Sequence, residues 1–144
     1  MENKYYIPEI EEFNVGFEYE YQEYNDDLDE YVDFWIKRFL CHLEDFTGEM
    51  EDTLTDGRVR VKYLNQEDIE SMGFKLDPIR SYFNYRNSFS LINEPYKLSL
   101  DHIYNENKII LRGHKVDYPT KTLFEGTIKN LSELRKLLKQ TKYE

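Results

Sequence analysis

The sequence predicts an α+β fold: a mainly antiparallel sheet with short helices and a C-terminal amphipathic helix packed on it, in a single domain over residues 1–144. Three observations carry this. Apolar and polar residues alternate in several short segments, the period of half-buried strands. The helical signals are short and bring their own caps. Strands and helices are interspersed, without the regular strand–helix alternation of a parallel sheet.

Phe13, Val15, Phe17, Tyr19 and Tyr21 alternate with Asn14, Gly16, Glu18 and Glu20, which predicts a first strand with one aromatic and one acidic face. Val59, Val61 and Tyr63 alternate with Arg58, Arg60 and Lys62, a second strand with one apolar and one basic face. As sheet neighbours these strands would set Glu18 and Glu20 across from Arg58, Arg60 or Lys62, at roughly 0.2–1 kcal/mol per opposite-charge pair. Between them, Leu28, Val32, Trp35, Ile36, Phe39, Leu40 and Leu43 recur at helical spacing after the capping candidates Asn25 and Asp26. The stretch Asp33 to Leu40 is also dense in strand formers. Helix is the reading adopted for residues 27–46, with strand the alternative. Thr47-Gly48 and Asp56-Gly57 then read as a break and a turn.

Further on, Asn65 caps a short helix of about two turns, with Asp68 at its third position and Gly73 ending it. Tyr96, Leu98, Leu100, His102 and Tyr104 alternate, Asn105-Glu106-Asn107 signals a turn, and Lys108 to Arg112 returns as the second arm of a hairpin. Placing Ile109 and Leu111 on the face of Leu98, Leu100 and His102 requires an even-numbered loop and sends His114 to the opposite face. Lys121 to Ile128 is the last strand candidate. Asn130 and Glu133 form a capping-box-like start to a final helix whose Leu131, Leu134, Leu137 and Leu138 make one apolar stripe, with Arg135, Lys136, Lys139 and Lys142 adjoining.

Charge is divided by position. Met1 to Asp56 carries a net −15 and Gly57 to Glu144 a net +5, within a total of −10. Blocks of opposite sign either neutralise each other in the fold or face partners of opposite charge. A chain of 144 residues is long enough for a real core but leads us to expect only one. That core is aromatic-rich, since 13 Tyr and 9 Phe accompany only 3 Met. The lone Cys41 excludes an internal disulfide and fits a reducing compartment. The first residues show neither a basic nor an apolar leader region, and no run of about 18 apolar residues occurs, so a cytoplasmic protein without a membrane partner is expected.

Three segments resemble a group of short uncharacterised proteins common in Bacteroidetes genomes and their phages. They are Tyr6-Ile7-Pro8-Glu9-Ile10-Glu11-Glu12-Phe13 running into Val15-Gly16-Phe17-Glu18-Tyr19-Glu20; Arg60-Val61-Lys62-Tyr63-Leu64 with Glu67-Asp68-Ile69-Glu70-Ser71; and Phe124-Glu125-Gly126 with Ile128-Lys129-Asn130 and Ser132-Glu133-Leu134. The resemblance touches both ends and the middle of the chain. It implies a phage or mobile-element origin and no particular activity or catalytic residues.

The chemistry-bearing residues do not assemble into a catalytic pattern. Cys41 and His42 are adjacent, so their side chains diverge, and His102 and His114 fall on opposite faces, which excludes a shared ion. Asp26-Asp27-Leu28-Asp29-Glu30 lacks the central Gly and terminal Glu of a calcium loop. No phosphate-binding glycine loop or nucleophile motif is present, and neither cofactor nor metal is expected. Direct nucleic-acid binding is disfavoured by a pI near 4.8. The leading expectation is therefore a noncatalytic binding protein of mobile-element origin that acts through protein contacts, self-association included, and antagonises a host system. Its candidate surfaces are an anion- or partner-binding set, Arg58, Arg60, Lys62 and Tyr63, and an acidic-aromatic set, Glu18, Glu20, Tyr24 and Tyr31. The rivals are capture of an anionic metabolite or nucleotide by the basic set, and mimicry of a polyanion by the acidic one.

Overall fold

A computed structural model describes residues 4–41, 53–79, 81 and 85–141. The chain divides into two compact units, Met1–Tyr63 and Leu64–Glu144, and each holds its own apolar cluster where the length suggested a single core. Strands dominate, every pairing between them is antiparallel, and a helix ends the described chain.

The first unit contains β1 (Tyr5–Tyr6), β2 (Glu18–Tyr21), β3 (Tyr24–Asn25), β4 (Glu30–Tyr31), β5 (Ile36–Phe39) and β6 (Val59–Lys62). Among the described residues, four of them form a sheet in the order β1-β6-β2-β5, and β3 pairs with β4 alone. The alternation in β2 and β6 sends Tyr19, Val59 and Val61 into a cluster with Phe13, Phe17 and Leu40. The predicted first strand is shortened, because Gly16 adopts a left-handed φ of 91° and its N–H donates to the Leu40 carbonyl at 2.7 Å. The segment before Glu18 is thus a turn that still delivers Phe13 and Phe17 to the core.

Over the described part of the expected 27–46 helix, residues 27–41, strands and turns stand in its place. Asn25 does not cap a helix: its Oδ1 accepts from the Asp27 N–H at 3.0 Å, a local turn that competes with helical bonding. Asp29 follows at a φ of 51° and closes the β3–β4 hairpin. Leu28 is 65% exposed whereas Leu40 is 1% exposed, so the helical stripe that would have buried both does not exist. β5 instead pairs along β2, with Lys37 across from Glu20 and Phe39 across from Glu18, as its aromatic and β-branched content allows. Leu43, His42 and the Thr47-Gly48 break lie outside the described residues.

The second unit opens with α1 (Gln66–Ser71), capped by Asn65 Oδ1 accepting from the Asp68 N–H at 2.9 Å, while Asp68 accepts from the Asn65 N–H at 3.2 Å. Gly73, at a φ of 96°, turns the chain out of it. Then β7 (Lys75–Asp77), β8 (Arg86–Asn93), β9 (Tyr96–Ile103), β10 (Lys108–Lys115) and β11 (Lys121–Thr127) form a five-stranded sheet in sequence order. The β9–β10 register sets Ile109 across from His102 and Leu111 across from Leu100, so these side chains share one face as the even-numbered loop requires. Leu134, Leu137 and Leu138 of α2 (Leu131–Thr141) close that face, packed with Leu98, Leu100, Ile109 and Leu111. Asn130 Oδ1 caps α2 by accepting from the Glu133 N–H at 2.9 Å. No helix among the described residues is long and apolar enough to cross a membrane.

Candidate interaction face

The solvent side of the four-stranded sheet gathers most of the residues that the sequence marks. Arg60 and Glu20 are direct cross-strand partners, and the guanidinium forks onto the carboxylate, with Nε to Oε2 at 3.2 Å and Nη2 to Oε1 at 3.4 Å. The opposite charges of the two segments therefore meet here within the fold, as strand alternation predicts. Glu18 pairs with Lys37 of β5.

Arg60 is also held from two sides by π-faces. Its guanidinium carbon lies 3.7 Å from the centre of the Tyr5 ring and 4.1 Å from that of Trp35. A planar, weakly hydrated cation stacks well in such a slot, and the carboxylate fork fixes its rotation. Arg58 repeats the scheme more openly: its Nη1 donates to Gln22 Oε1 at 3.0 Å, and its guanidinium carbon sits 4.9 Å from the centre of the Tyr31 ring. Lys62, next along the same face, is likewise engaged by the fold. Tyr63 parts from this set, because its ring stacks on Tyr6 at 4.7 Å, and Tyr6 packs against the apolar cluster.

Tyr24 and Tyr31 face each other across the β3–β4 hairpin, edge to face at 5.2 Å. The Tyr24 hydroxyl donates to Asp29, and that hydrogen bond pushes the phenol pKa up to about 12. The Tyr31 hydroxyl donates to Asp56 Oδ2 at 2.7 Å, which raises its pKa by the same mechanism. Acceptance by a carboxylate favours the neutral phenol. Tyr31, lying under Arg58, joins the acidic-aromatic set to the basic one, so the two candidate surfaces interleave instead of standing apart.

Neither candidate set read from the sequence includes Tyr5, Gln22, Trp35 or Lys37, and Trp35 falls instead on the expected helical stripe. A period-two reading of Asp33 to Leu40 would have found two of them, since Trp35 and Lys37 then share a face. Tyr5 offers no such signal, because β1 is only 2 residues long. Phe34 and Phe39 add exposed aromatic surface in the same segment. Among the described residues no group of His, Cys, Asp and Glu side chains is placed to hold a metal ion. Comparison with protein-family profiles, curated proteins and solved structures finds no match for this chain.

Proposed function

We propose that this chain is a noncatalytic binding protein of phage or mobile-element origin that acts on a protein partner through the solvent side of its four-stranded sheet. One observation carries the reading: Arg60 is clamped between Tyr5 and Trp35 and forked onto Glu20. Trp, Tyr and Arg are the residues that most often dominate protein interfaces, and they do so best when held rigid before binding. The exposed ring of Phe39, across from Glu18, extends the apolar area on this face. The same geometry weighs against the rival readings at this place. The guanidiniums of Arg58 and Arg60 already have acceptors within the fold, and the carboxylates of Glu18 and Glu20 already have cations, so neither an open anion ladder nor an open carboxylate array is offered. The resemblance to short phage-associated proteins supports the origin and the host-directed role.

The test uses a feature of the composition, since Trp35 is the only tryptophan. Co-purification with mass spectrometry identifies a partner, and titration of the purified partner should shift the Trp35 emission. Trp35→Ala and Phe39→Ser should each weaken binding by at least about tenfold, the effect of a residue near the centre of an interface, while leaving the thermal transition in place. A partner that binds both variants as tightly as the wild type would overturn the reading.

A further inference from the structure

The five-stranded sheet has a second face, opposite α2, and its chemistry differs from everything described above. At its centre lies Asp101, only 1% exposed although it points away from the helix-covered core. Its Oδ1 accepts from the Ser88 hydroxyl at 2.8 Å. Its Oδ2 accepts from Arg112 Nη1 at 3.0 Å and lies 3.5 Å from Arg86 Nη1. Two guanidiniums, from β8 and β10 on either side of β9, thus converge on one carboxylate oxygen, and they stay 39% (Arg86) and 32% (Arg112) exposed.

One arginine would neutralise Asp101, so the second leaves a positive charge in surplus. Glu125, the other carboxylate on this face, pairs first with Lys108 at 2.9 Å and feels Arg112 only as a lesser influence, so Arg86, Arg112 and Lys108 still outnumber Asp101 and Glu125 by one charge. The next row across the same face is Ser90, Ser99, Arg112 and Thr122, joined strand to strand by the register. Neighbouring strands lie about 4.8 Å apart, so the Ser99 hydroxyl and the Arg112 fork can reach a single small anion from adjacent strands. Lys97 is exposed two residues along β9 from Ser99. An arginine clip that served the fold alone would need neither the second guanidinium nor a row of hydroxyl donors beside it.

We infer that Arg86, Arg112 and Ser99, positioned over Asp101, form a binding site for the phosphate group of a small phosphomonoester. Donors of two kinds approach from different strands, which suits the tetrahedrally arranged oxygens of phosphate better than the flat edge of a carboxylate. The phosphate dianion also meets the surplus charge. The site lies on a different sheet from the protein-contact face and does not rest on that reading.

The experiment follows the arginine side-chain Nε–H signals by NMR while sodium phosphate or glycerol phosphate is added at constant ionic strength, with sodium chloride as the control. Saturable shifts confined to Arg86 and Arg112, from both phosphate species and not from chloride, are expected. Arg112→Gln should weaken binding by more than about tenfold, the scale of a lost charge-assisted hydrogen bond. Since that change also disturbs Asp101, Ser99→Ala provides the second arm: it leaves the carboxylate untouched and should weaken binding by about tenfold on the same grounds. Chloride shifts equal to those of phosphate, absence of saturation, or undiminished binding by Ser99→Ala would each overturn the inference.

Discussion

His102 is the residue whose burial costs the fold most visibly. It is 1% exposed, and neither ring nitrogen has a hydrogen-bond partner among the described residues. Burial without compensation disfavours the charged imidazolium and pushes its pKa down to about 4 from an ordinary 6.5. Because the folded value is the lower one, the unfolded chain takes up the proton first as the pH falls. Stability is therefore full above about 6.5 and is lost progressively down to about 4, a loss of roughly 3 kcal/mol. His102→Leu removes both the unpartnered nitrogens and the titration. It should stabilise the protein at pH 7 by about 1–3 kcal/mol and flatten the difference between pH 7 and pH 4.5, as measured by urea unfolding of both proteins at each pH. A variant less stable than the wild type at pH 7 would show that the imidazole satisfies something that leucine cannot. The alternation of β9 placed His102 on the core face from sequence alone. Its lack of partners could not be read there, since the side chains around it are supplied by β10 and β8, brought beside it only by pairing.

At the scale of elements, local chemistry was most legible where the cap and the apolar stripe agree. Asn65 with Asp68, and Asn130 with Glu133, named the starts of α1 and α2 correctly because capping is settled within one turn. The α2 stripe also found its target, with Leu134 buried completely and Leu138 nearly so. Truncating such a side chain removes its transfer free energy and leaves a void, so Leu134→Ala and Leu138→Ala should each cost on the order of 2–5 kcal/mol. Thermal unfolding followed by circular dichroism checks this, and a wild-type transition in both variants would mean that the stripe does not hold the core. The described part of the 27–46 segment, up to Cys41, went the other way. Their helical spacing was genuine, yet pairing of Ile36–Phe39 with β2 and the turn made by Asn25 outweighed it. Propensity is a weak prior where a sheet edge is open for a strand to join. β8 escaped the sequence reading for a related reason: Ser88 and Ser90 interrupt its apolar pattern, and they face the polar side of the sheet where hydroxyls belong.

For the whole molecule, the division of charge has a local and a remaining part. Glu20 with Arg60 neutralises one acidic and one basic strand face inside the first unit. Of the +5 beyond Gly57, +3 is carried by Arg58, Arg60 and Lys62 within the first unit, which leaves +2 in the second, where two arginines, Arg86 and Arg112, gather on the one carboxylate of Asp101. The two apolar clusters lead to a further expectation. The second cluster draws every one of its buried residues from Leu64 to Leu138, so a fragment of residues 64–144 should fold alone with β-type circular dichroism and a cooperative melt. A fragment that shows neither would mean that this core needs the preceding residues.

Alternation, caps and charge order are properties of neighbours along the chain, and the sequence by itself determined what depends on them: the sheet-rich fold, α1 and α2, the β9–β10 register, and the face on which Arg58, Arg60 and Lys62 lie. Tertiary structure alone decided which distant groups meet. Tyr5 and Trp35 come to bracket Arg60, Tyr31 comes under Arg58, and Arg86 joins Arg112 on Asp101. The physical reason is that a strand specifies its two faces through a period of two residues, but it does not specify its neighbours. Those are chosen by burial and hydrogen bonding summed over the whole sheet, and it is at such chosen contacts that the candidate sites arise.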